Sequence, residues 1–553
     1  MALKKLVTIA GLVLSVLVFA QPIQAGVNWL KYSYFNNVGG LNDHLAATEI
    51  KDNEASDLQN VVFDTPGAIK KRYGYTTIPN NPVAKVATGT TTAITGLTFY
   101  KKDNGDRYLV AICNSDSKAT AMMKNYTAGF GPETGDWRNI DFLSLPSSYS
   151  NNYLPTFSVA QDRLIITTPS ASGSYPYRWN GTGNVDYLTN DADCPKASIN
   201  VYHKNHLVLS GNSDYPSRVW FSALDNIFSY DATDFLDVET SDGSKVRALV
   251  SAFDSLYIFK DKSIWRLSGT NKDDFVLQKM VDGIGTLSPV SPKVVNNYIY
   301  FTTAQNDIAI YDGAYTCKFI SEKIRNTIGG LSFTRAPYTA GSAFSTYRYN
   351  DFDYYCAVST SSATNNNKVL VFDTSLAAWS KFSGMNISAM CVGDDDSGKN
   401  ALYFGDNSGY IHRYPSTTYQ DGNVSTGAIV AYYQTKWFKY SEASLGDKYW
   451  RLIKTYSASE APASSTTITL NVECKSDYET TGKFLTVDIT QSTSKWDAAI
   501  WDDSNWTGAS LVVGRKEVEK GTSMFQGNFS NNNLNEGFTL YGFENFIEPT
   551  DQI

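Results

Sequence analysis

The stretch from Asp254 to Gly269, DSLYIFKDKSIWRLSG, contains the pattern that decides the fold. Apolar and aromatic residues fill Leu256–Lys260 and again Ile264–Leu267, with a short polar turn between the two runs. Because successive side chains of a β-strand point to opposite faces, both faces of the first strand are apolar. The stretch therefore predicts a hairpin covered on both sides, as in a propeller blade packed between two neighbouring blades.

The same hairpin pattern recurs along the chain at intervals of about 40–50 residues. Further copies lie within Asp162–Gly181, Asn297–Gly313 and Asn400–Tyr414, each pairing an apolar strand with an aromatic-bearing strand across a polar turn. A β-sandwich also spaces its strands regularly. The repeat over residues 90–425 favours a β-propeller of six or seven blades.

The strand pattern changes near residue 425, where longer strands such as Thr466–Val472 replace the repeat. Helix signals are almost absent from the whole chain. We therefore expect an all-β protein with four parts: an apolar signal-like segment at residues 1–25, an N-terminal strap at 26–85, the β-propeller at 86–425 and a β-sandwich-like domain at 426–553.

Composition excludes several classes of protein. Of the 553 residues, 14% are aromatic and 18% charged, so the chain has ample material for packed cores and is not intrinsically disordered. A formal net charge of −8 argues against a generally basic nucleic-acid-binding protein. The six cysteines are widely spaced and form no C-x-x-C motif, which excludes zinc-ribbon and thioredoxin-like sites and favours scattered buried thiols.

The N-terminus has the pattern of a secretory leader. Lys4 and Lys5 precede an apolar run from Leu6 to Ala20, and a second small residue follows at Ala25. The run is shorter than the roughly 20 residues that a membrane-spanning helix needs. An apolar strand or buried helix at the true N-terminus is the alternative.

No motif for catalysis or cofactor binding stands out. His203 and His206 span a predicted hairpin turn, which favours a polar turn over a metal site. Asp394–Gly398 begins like a calcium loop but lacks the later glutamate, so a solvated hairpin tip is expected. Nucleophile-elbow, phosphate-loop and dinucleotide motifs do not occur. A pair of catalytic carboxylates for glycoside hydrolysis is an open alternative, but no two of the 55 acidic residues stand out in the sequence. We expect no enzyme, cofactor or metal.

Three stretches resemble the hub and nozzle proteins of bacteriophage tails. The first joins Gly40–Asp43 to Ile50–Ile78, which contains the pattern G-x-I-x-K-R-x-G-Y. The second is Arg218–Gly269, with an R-V-W-F-S strand followed by an F-K-x-x-S-I-W hairpin. The third runs from Gly283 to Gly313 and is accompanied by Phe319–Ile324 and Val369–Phe382.

This resemblance implies a structural virion protein: a tail nozzle, hub or adaptor that lines the DNA exit path below the portal. It implies a homo-oligomeric ring located in the virion tail. The implied partners are other tail proteins, portal or adaptor proteins, passing genomic DNA without specific binding, and a contact with the host surface. The excess of acidic residues is consistent with a DNA conduit, because a negatively charged wall repels the phosphates of DNA. The resemblance implies no catalytic residue in this chain.

The strap contains the residues that we expect to join neighbouring subunits. A basic run is predicted to lie along an acidic neighbour, and four apolar or aromatic residues are predicted to supply most of the attachment, since surface charge pairs are weak. The residues are Lys70, Lys71 and Arg72, with Val61, Val62, Phe63 and Tyr75. Removal of residues 27–82 is then expected to leave a folded β protein that no longer assembles.

The signal-like N-terminus conflicts with assembly in the cytoplasm and supports a second hypothesis. In this alternative the chain is an exported carbohydrate-binding or carbohydrate-cleaving β-propeller, whose aromatic side chains stack on sugars. A multi-subunit ring in negative-stain images would favour the tail protein. Glycan binding or polysaccharide hydrolysis by the isolated chain would favour the alternative.

Overall fold

The computed structural model describes residues 29–78, 93–115, 118–125, 137–140, 142, 154–168, 174–333, 342–348, 351–363, 365–394, 400–422, 427–439, 448–460, 467–490 and 511–549. These residues form an all-β protein with a seven-bladed propeller and a two-sheet sandwich. The signal-like segment predicted at residues 1–25 lies outside them. Within the described ranges, no helix has both the length and the apolar character needed to cross a membrane.

The N-terminal strap supplies five short strands: β1 (Leu30–Phe35), β2 (Ala55–Gln59), β3 (Val61–Val62), β4 (Ile69–Lys71) and β5 (Thr76–Ile78). They enter three different sheets. β1, β3 and β4 belong to one sheet of the sandwich, β2 belongs to the other, and β5 belongs to a propeller blade. The strap is therefore a structural part of both domains, which corrects the expectation of a separable segment.

Each blade is an antiparallel sheet whose first strand lies nearest the propeller axis. The first blade comprises β6 (Ile94–Lys101), β7 (Arg107–Ser115), β8 (Lys118–Asn125) and β9 (Arg138–Asn139). The second comprises β10 (Thr156–Ala160), β11 (Arg163–Thr167), β12 (Tyr177–Trp179) and β13 (Asp186–Tyr187). The third comprises β14 (Ile199–His203), β15 (His206–Ser210), β16 (Arg218–Ala223) and β17 (Asn226–Asp237), and the fourth comprises β18 (Val246–Ala252), β19 (Ser255–Lys260), β20 (Ser263–Ser268) and β21 (Val276–Asp282).

The fifth blade comprises β22 (Lys293–Val295), β23 (Tyr298–Thr302), β24 (Ile308–Tyr311) and β25 (Cys317–Phe319). A short helix, α1 (Arg325–Gly329), connects it to the sixth blade. There β26 (Leu331–Ser332) and β27 (Ser342–Arg348) both pair with β28 (Asp351–Thr360), which is followed by β29 (Lys368–Asp373) and β30 (Ala378–Ser383). The seventh blade consists of β31 (Ala389–Asp394), β32 (Asn400–Gly405), β33 (Ile411–Tyr414) and, as its outermost strand, β5 of the strap.

The ring of blades closes between the seventh and the first blade. The inner strands β31 and β6 are in contact, and Tyr403 of the seventh blade shares a buried cluster with Leu109 of the first. The outer strand β5 pairs with β33, with Ile78 opposite Ile411. Because β5 lies only a short distance before the first blade in sequence, this pairing connects the two ends of the propeller.

The hairpin predicted from Asp254–Gly269 is confirmed as the two middle strands of the fourth blade. β19 and β20 pair antiparallel, with Leu256 opposite Leu267 and Phe259 opposite Ile264. Every residue of β19 is buried, as expected for a strand with both faces covered. The preceding turn places Phe253 and Asp254 at positive φ, the backbone conformation of a tight two-residue hairpin turn.

We expect Phe259→Ala to lower the free energy of unfolding by about 3–5 kcal/mol, as for other buried aromatic truncations. The ring of Phe259 is fully buried and packs edge-on against Phe301 of the fifth blade, with 5.1 Å between centroids. Denaturant unfolding measures the loss. Val276→Ala, at a 61% exposed position of the same blade, is the matched control. A loss for Phe259→Ala below about 1 kcal/mol, the scale of surface changes, would contradict the assignment.

The C-terminal domain is a sandwich of two sheets. Its own strands are β34 (Ala431–Thr435), β35 (Phe438–Lys439), β36 (Lys448–Glu460), β37 (Thr469–Ser476), β38 (Lys483–Asp488), β39 (Leu511–Thr522), β40 (Met524–Asn531) and β41 (Gly537–Pro549). One sheet has the order β3-β4-β41-β36-β39, with β1 also on β41; the other has β2-β34-β40-β37-β38, with β35 also on β40. The inner faces meet where Phe529 packs against Phe543, with 4.9 Å between ring centroids.

One buried core connects the propeller to the sandwich. It includes Phe372 and Trp379 of the sixth blade, Val61 of the strap, and Phe525 and Phe543 of the sandwich sheets. Since interiors are close-packed, the two domains are held in one relative orientation by this shared core. The strap lies in the middle of it.

Candidate functional site: the buried strap

The apolar strap residues predicted to attach a neighbouring subunit are buried inside their own chain. Val61 is fully buried, and Val62 and Phe63 are 7% and 8% exposed. Val61 and Phe63 belong to the core shared with the sandwich, whereas Val62 packs in the core between the sixth and seventh blades. The prediction that these three side chains form the contact with a neighbour is wrong, because so little of their surface is accessible.

Tyr75 packs in the same core as Val62. Its ring meets Phe404 and His412 edge-on, with centroids 5.1 and 4.7 Å apart. Burial, with a smaller contribution from the nearby carboxylate of Asp421, raises the pKa of Tyr75 to about 12. The side chain therefore stays neutral at physiological pH and acts as a packing residue of the seventh blade.

Arg72 lies at the junction of the strap, the sixth blade and the segment that leads to the sandwich. Its guanidinium donates twice to Asp421, over 2.8 and 2.6 Å, in the parallel geometry typical of arginine and carboxylate. Further bonds reach the side chain of Asn60 at 2.9 Å and the carbonyls of Tyr73 at 2.9 Å and Ser383 at 2.8 Å. Five acceptors thus match the five N–H groups of the buried side chain.

The charge of Arg72 is retained in spite of burial. Burial lowers its pKa, but attraction and hydrogen bonding from Asp421 outweigh that effect and raise it. Gly74 allows the close approach of the two segments. A Cβ there would lie 1.7 Å from the carbonyl oxygen of Gln420, so only glycine fits at this position of the K-R-x-G-Y pattern.

The other two basic residues of the run are also buried. Lys70 pairs with Glu460 at 3.3 Å and donates to the hydroxyl of Tyr73 at 3.1 Å. Lys71 is fully buried and donates to the side-chain oxygen of Asn531 at 2.8 Å. The predicted basic run therefore contacts the chain's own sandwich, and the expectation that it lies along an acidic neighbour is wrong.

Lys71 gives the junction a pH dependence. Burial lowers its pKa to about 7, whereas an unfolded lysine titrates near 10.4. Between these two pKa values the unfolded chain binds one more proton than the folded chain. The free energy of unfolding should therefore rise with pH from about 7 to about 10, by at most about 1.4 kcal/mol per pH unit. Lys71→Met should remove this rise in denaturant unfolding. Lys51→Met, at an exposed strap position, should retain it; equal pH slopes for the two variants would contradict the prediction.

The buried strap joins the propeller to the sandwich. Among the strap residues described above, no acidic and basic side chains are placed as a catalytic pair. Sequence reasoning missed its partners, notably Asp421, Asn531 and Ser383. They lie more than 300 residues away along the chain, with separations of 349, 460 and 311 residues. No local pattern could have indicated them, because each partner sits in a turn or at a strand end of another element.

The propeller axis contains a cavity of about 450 Å³, lined by residues on or beside the inner strands β6, β10, β14, β18, β22 and β31. Pockets of about 300–1,000 Å³ suit small molecules. A DNA duplex, whose major groove alone is about 12 Å wide, does not fit such a volume.

The two histidines singled out in the sequence, His203 and His206, have structural roles. His203 and His206 flank a hairpin turn and face each other in register; His203 contacts Ser251 at 2.8 Å, and His206 contacts the carbonyl of Ser222 at 2.6 Å. Most of the predicted tip Asp394–Gly398 lies outside the described residues. Across the described part of the chain, no three His, Cys, Asp or Glu side chains are grouped to hold a metal ion.

The cysteines agree with the prediction of scattered thiols. None of these six described residues forms a disulfide; Cys113, Cys194, Cys356, Cys391 and Cys474 are buried, and Cys317 is half-buried. Burial raises the pKa of the Cys113 thiol to about 12, so this group is a poor nucleophile at neutral pH.

Known proteins are similar to this chain in structure and not in sequence. No protein-family model and no curated protein matches the sequence. The structure is similar to the Pan2 WD40 domain from Neurospora crassa, at 9% identity and a TM-score of 0.37, covering 63% of this chain and 96% of that one. It is also similar to YCF48 bound to D1 peptide, at 11% identity and a TM-score of 0.37, covering 62% of this chain and 98% of that one.

Proposed function

We propose that this chain is a non-catalytic structural subunit of a bacteriophage tail, a nozzle, hub or adaptor protein that assembles into a ring. The supporting observation is the single buried core that runs from the sixth blade through the strap into both sandwich sheets. A subunit of a load-bearing ring must keep its domains in fixed orientation. Burying the linking segment between them achieves this, because rearrangement would require opening a packed core.

The resemblance of three stretches to tail proteins gives the proposal its biological setting. One of them, Ile50–Ile78, includes most of the strap and the junction at Arg72. In this proposal the K-R-x-G-Y pattern preserves the shape of the subunit. Contacts between subunits then come from other surfaces, since the strap itself is occupied within the chain.

In the proposed ring, the DNA path is the central opening between subunits, and each propeller forms part of its wall. The acidic net charge of −8 fits a wall past which phosphate moves without sticking. Portal or adaptor proteins above the ring, other tail proteins, and a host-surface contact are the proposed partners. The proposed location is the virion tail.

The test is the assembly state of the full-length chain. Mass photometry and negative-stain microscopy should show closed rings with rotational symmetry, alone or after addition of purified portal and tail proteins. A chain that stays monomeric in both conditions would overturn the proposal. Binding on a glycan array, or hydrolysis of a polysaccharide, by a monomeric chain would instead support the exported carbohydrate-active alternative.

A further inference from the structure

A lysine, an asparagine and a glutamate meet in the sandwich. Lys71 is the last residue of β4 in one sheet, and Asn531 is the last residue of β40 in the other sheet. Both residues are 0% exposed. Glu536 immediately precedes β41 and is half-buried. The fold therefore joins a buried amine to a buried amide that lies 460 residues away along the chain, with a carboxylate beside them.

The side-chain amide of Asn531 is held from both sides. Lys71 Nζ donates to its Oδ1 at 2.8 Å, and its Nδ2 donates to Oε2 of Glu536 at 2.9 Å. Nζ also donates to the carbonyl of Asn533 at 3.3 Å, and Nδ2 to the carbonyl of Thr469 at 2.8 Å. Because a C=O bond is about 1.23 Å long, the carbonyl carbon Cγ of Asn531 lies within about 4 Å of Nζ. The amine is next to the electrophilic carbon, and the carboxylate is next to the amide nitrogen.

Lys71 can act as a nucleophile because part of it is neutral amine at physiological pH. Burial lowers its pKa to about 7; the carboxylates of Glu536 and Asp421 oppose this shift, and the charge of Arg72 adds to it. Near neutral pH about half of the Lys71 side chains therefore carry a free lone pair, whereas a lysine in water, with a pKa near 10.4, has almost none. Holding this amine against one amide also makes their reaction intramolecular.

We propose that Lys71 and Asn531 form an intramolecular isopeptide bond without any other enzyme, with Glu536 as the proton relay. Nζ attacks the side-chain carbonyl carbon of Asn531, so that an Nζ–Cγ bond forms and the Cγ–Nδ2 bond breaks. The proton released by Nζ passes to the carboxylate of Glu536 and then to Nδ2, which leaves as ammonia. Glu536 returns to its starting state, and the reaction needs no oxidant, reductant or co-reactant.

This bond fastens β4 of the strap to β40 of the sandwich and closes a loop of the chain between them. A covalent crosslink restricts the unfolded chain, so the strap stays attached even when the packed core opens. The proposal goes beyond the ring function and holds whether or not the chain forms rings. The pH dependence of stability expected from Lys71 belongs to the chain before the bond forms, because an amide nitrogen does not titrate near pH 7 to 10.

Mass spectrometry of the denatured full-length protein tests the bond directly. Bond formation removes one ammonia, so the chain should be about 17 Da lighter than its sequence, after allowance for any N-terminal processing. Trypsin should release a branched product that joins Lys71 to the fragment comprising residues 521–553. A chain that keeps its full mass after prolonged incubation at mildly alkaline pH would overturn the proposal. A loss of about 18 Da, one water, would place the bond on Glu536 and would also overturn it.

Four variants separate this reaction from simple packing, with circular dichroism to establish that each is folded. Asn531→Ala and Lys71→Met should keep their full mass and give no branched product. Glu536→Gln should slow bond formation about 100-fold, the scale of a lost acid–base group. Asn532→Ala is the matched control, because this neighbouring side chain is exposed, and it should form the bond as the unaltered chain does. A crosslink in Asn531→Ala, or one formed in Glu536→Gln at the original rate, would contradict the proposal.

Discussion

Deletion of residues 29–78 should abolish folding, and not assembly alone. Without these residues the seventh blade lacks its outer strand β5, one sandwich sheet lacks β1, β3 and β4, and the other lacks β2. The core that joins the domains also loses Val61 and its neighbours in the strap. The loss should exceed the whole stability of a typical domain, about 5–15 kcal/mol.

Circular dichroism, size-exclusion chromatography and limited proteolysis measure this outcome. The truncated chain should aggregate or unfold without a cooperative transition. Co-expression of a separate peptide spanning residues 29–78 is the matched control. It should restore soluble protein, because the strap makes its contacts through space and needs no covalent connection to fill its place in the sheets. A truncated chain that folds cooperatively and fails only to form rings would contradict this account.

Arg72→Met should lower the free energy of unfolding by about 3–5 kcal/mol, the usual cost of removing one partner of a buried ion pair. The change removes the two Arg72 donors from the half-buried carboxylate of Asp421. It also removes one of the two donors to the side-chain oxygen of Asn60, which keeps the backbone N–H of Ser383. Arg72→Lys should also be destabilising, because an ammonium cannot donate the paired bonds that the planar guanidinium makes. Denaturant unfolding of both variants measures these losses.

A double variant separates the ion pair from simple packing. Arg72→Met combined with Asp421→Leu should recover part of the loss, since replacing both partners removes the uncompensated carboxylate. Lys51→Met in the exposed part of the strap should change stability by less than about 0.5 kcal/mol. If Arg72→Met and Lys51→Met had equal effects, the junction at Arg72 would not hold the domains together.

Much of the fold was predictable from local pattern. In β19 the residues Leu256 and Ile258 alternate with Tyr257 and Phe259, and a polar turn follows. This pattern defines a strand that is apolar on both faces, together with its hairpin partner. The repeat of that unit indicated a propeller, and the end of the repeat near residue 425 indicated a second β domain. Such features depend on residues within one hairpin of each other, so periodicity reveals them.

The strap shows where local pattern stops being informative. Lys70, Lys71 and Arg72 form a basic run that resembles a solvated surface segment, and Val61, Val62 and Phe63 resemble an exposed apolar attachment site. The structure buries both groups. Their partners lie in the sixth and seventh blades and in the sandwich, hundreds of residues later in the chain.

By itself, the sequence determined the strands, their hairpins and the two kinds of β domain, because alternation and turn residues act over a few positions. Only the tertiary structure decided that the N-terminal strands complete the seventh blade and both sandwich sheets. It also decided that Lys293 of the fifth blade and Cys391 of the seventh blade line the same axial cavity. The physical reason is the same in both cases: contacts between residues far apart in sequence depend on closure of the ring and on shape, which no local period encodes.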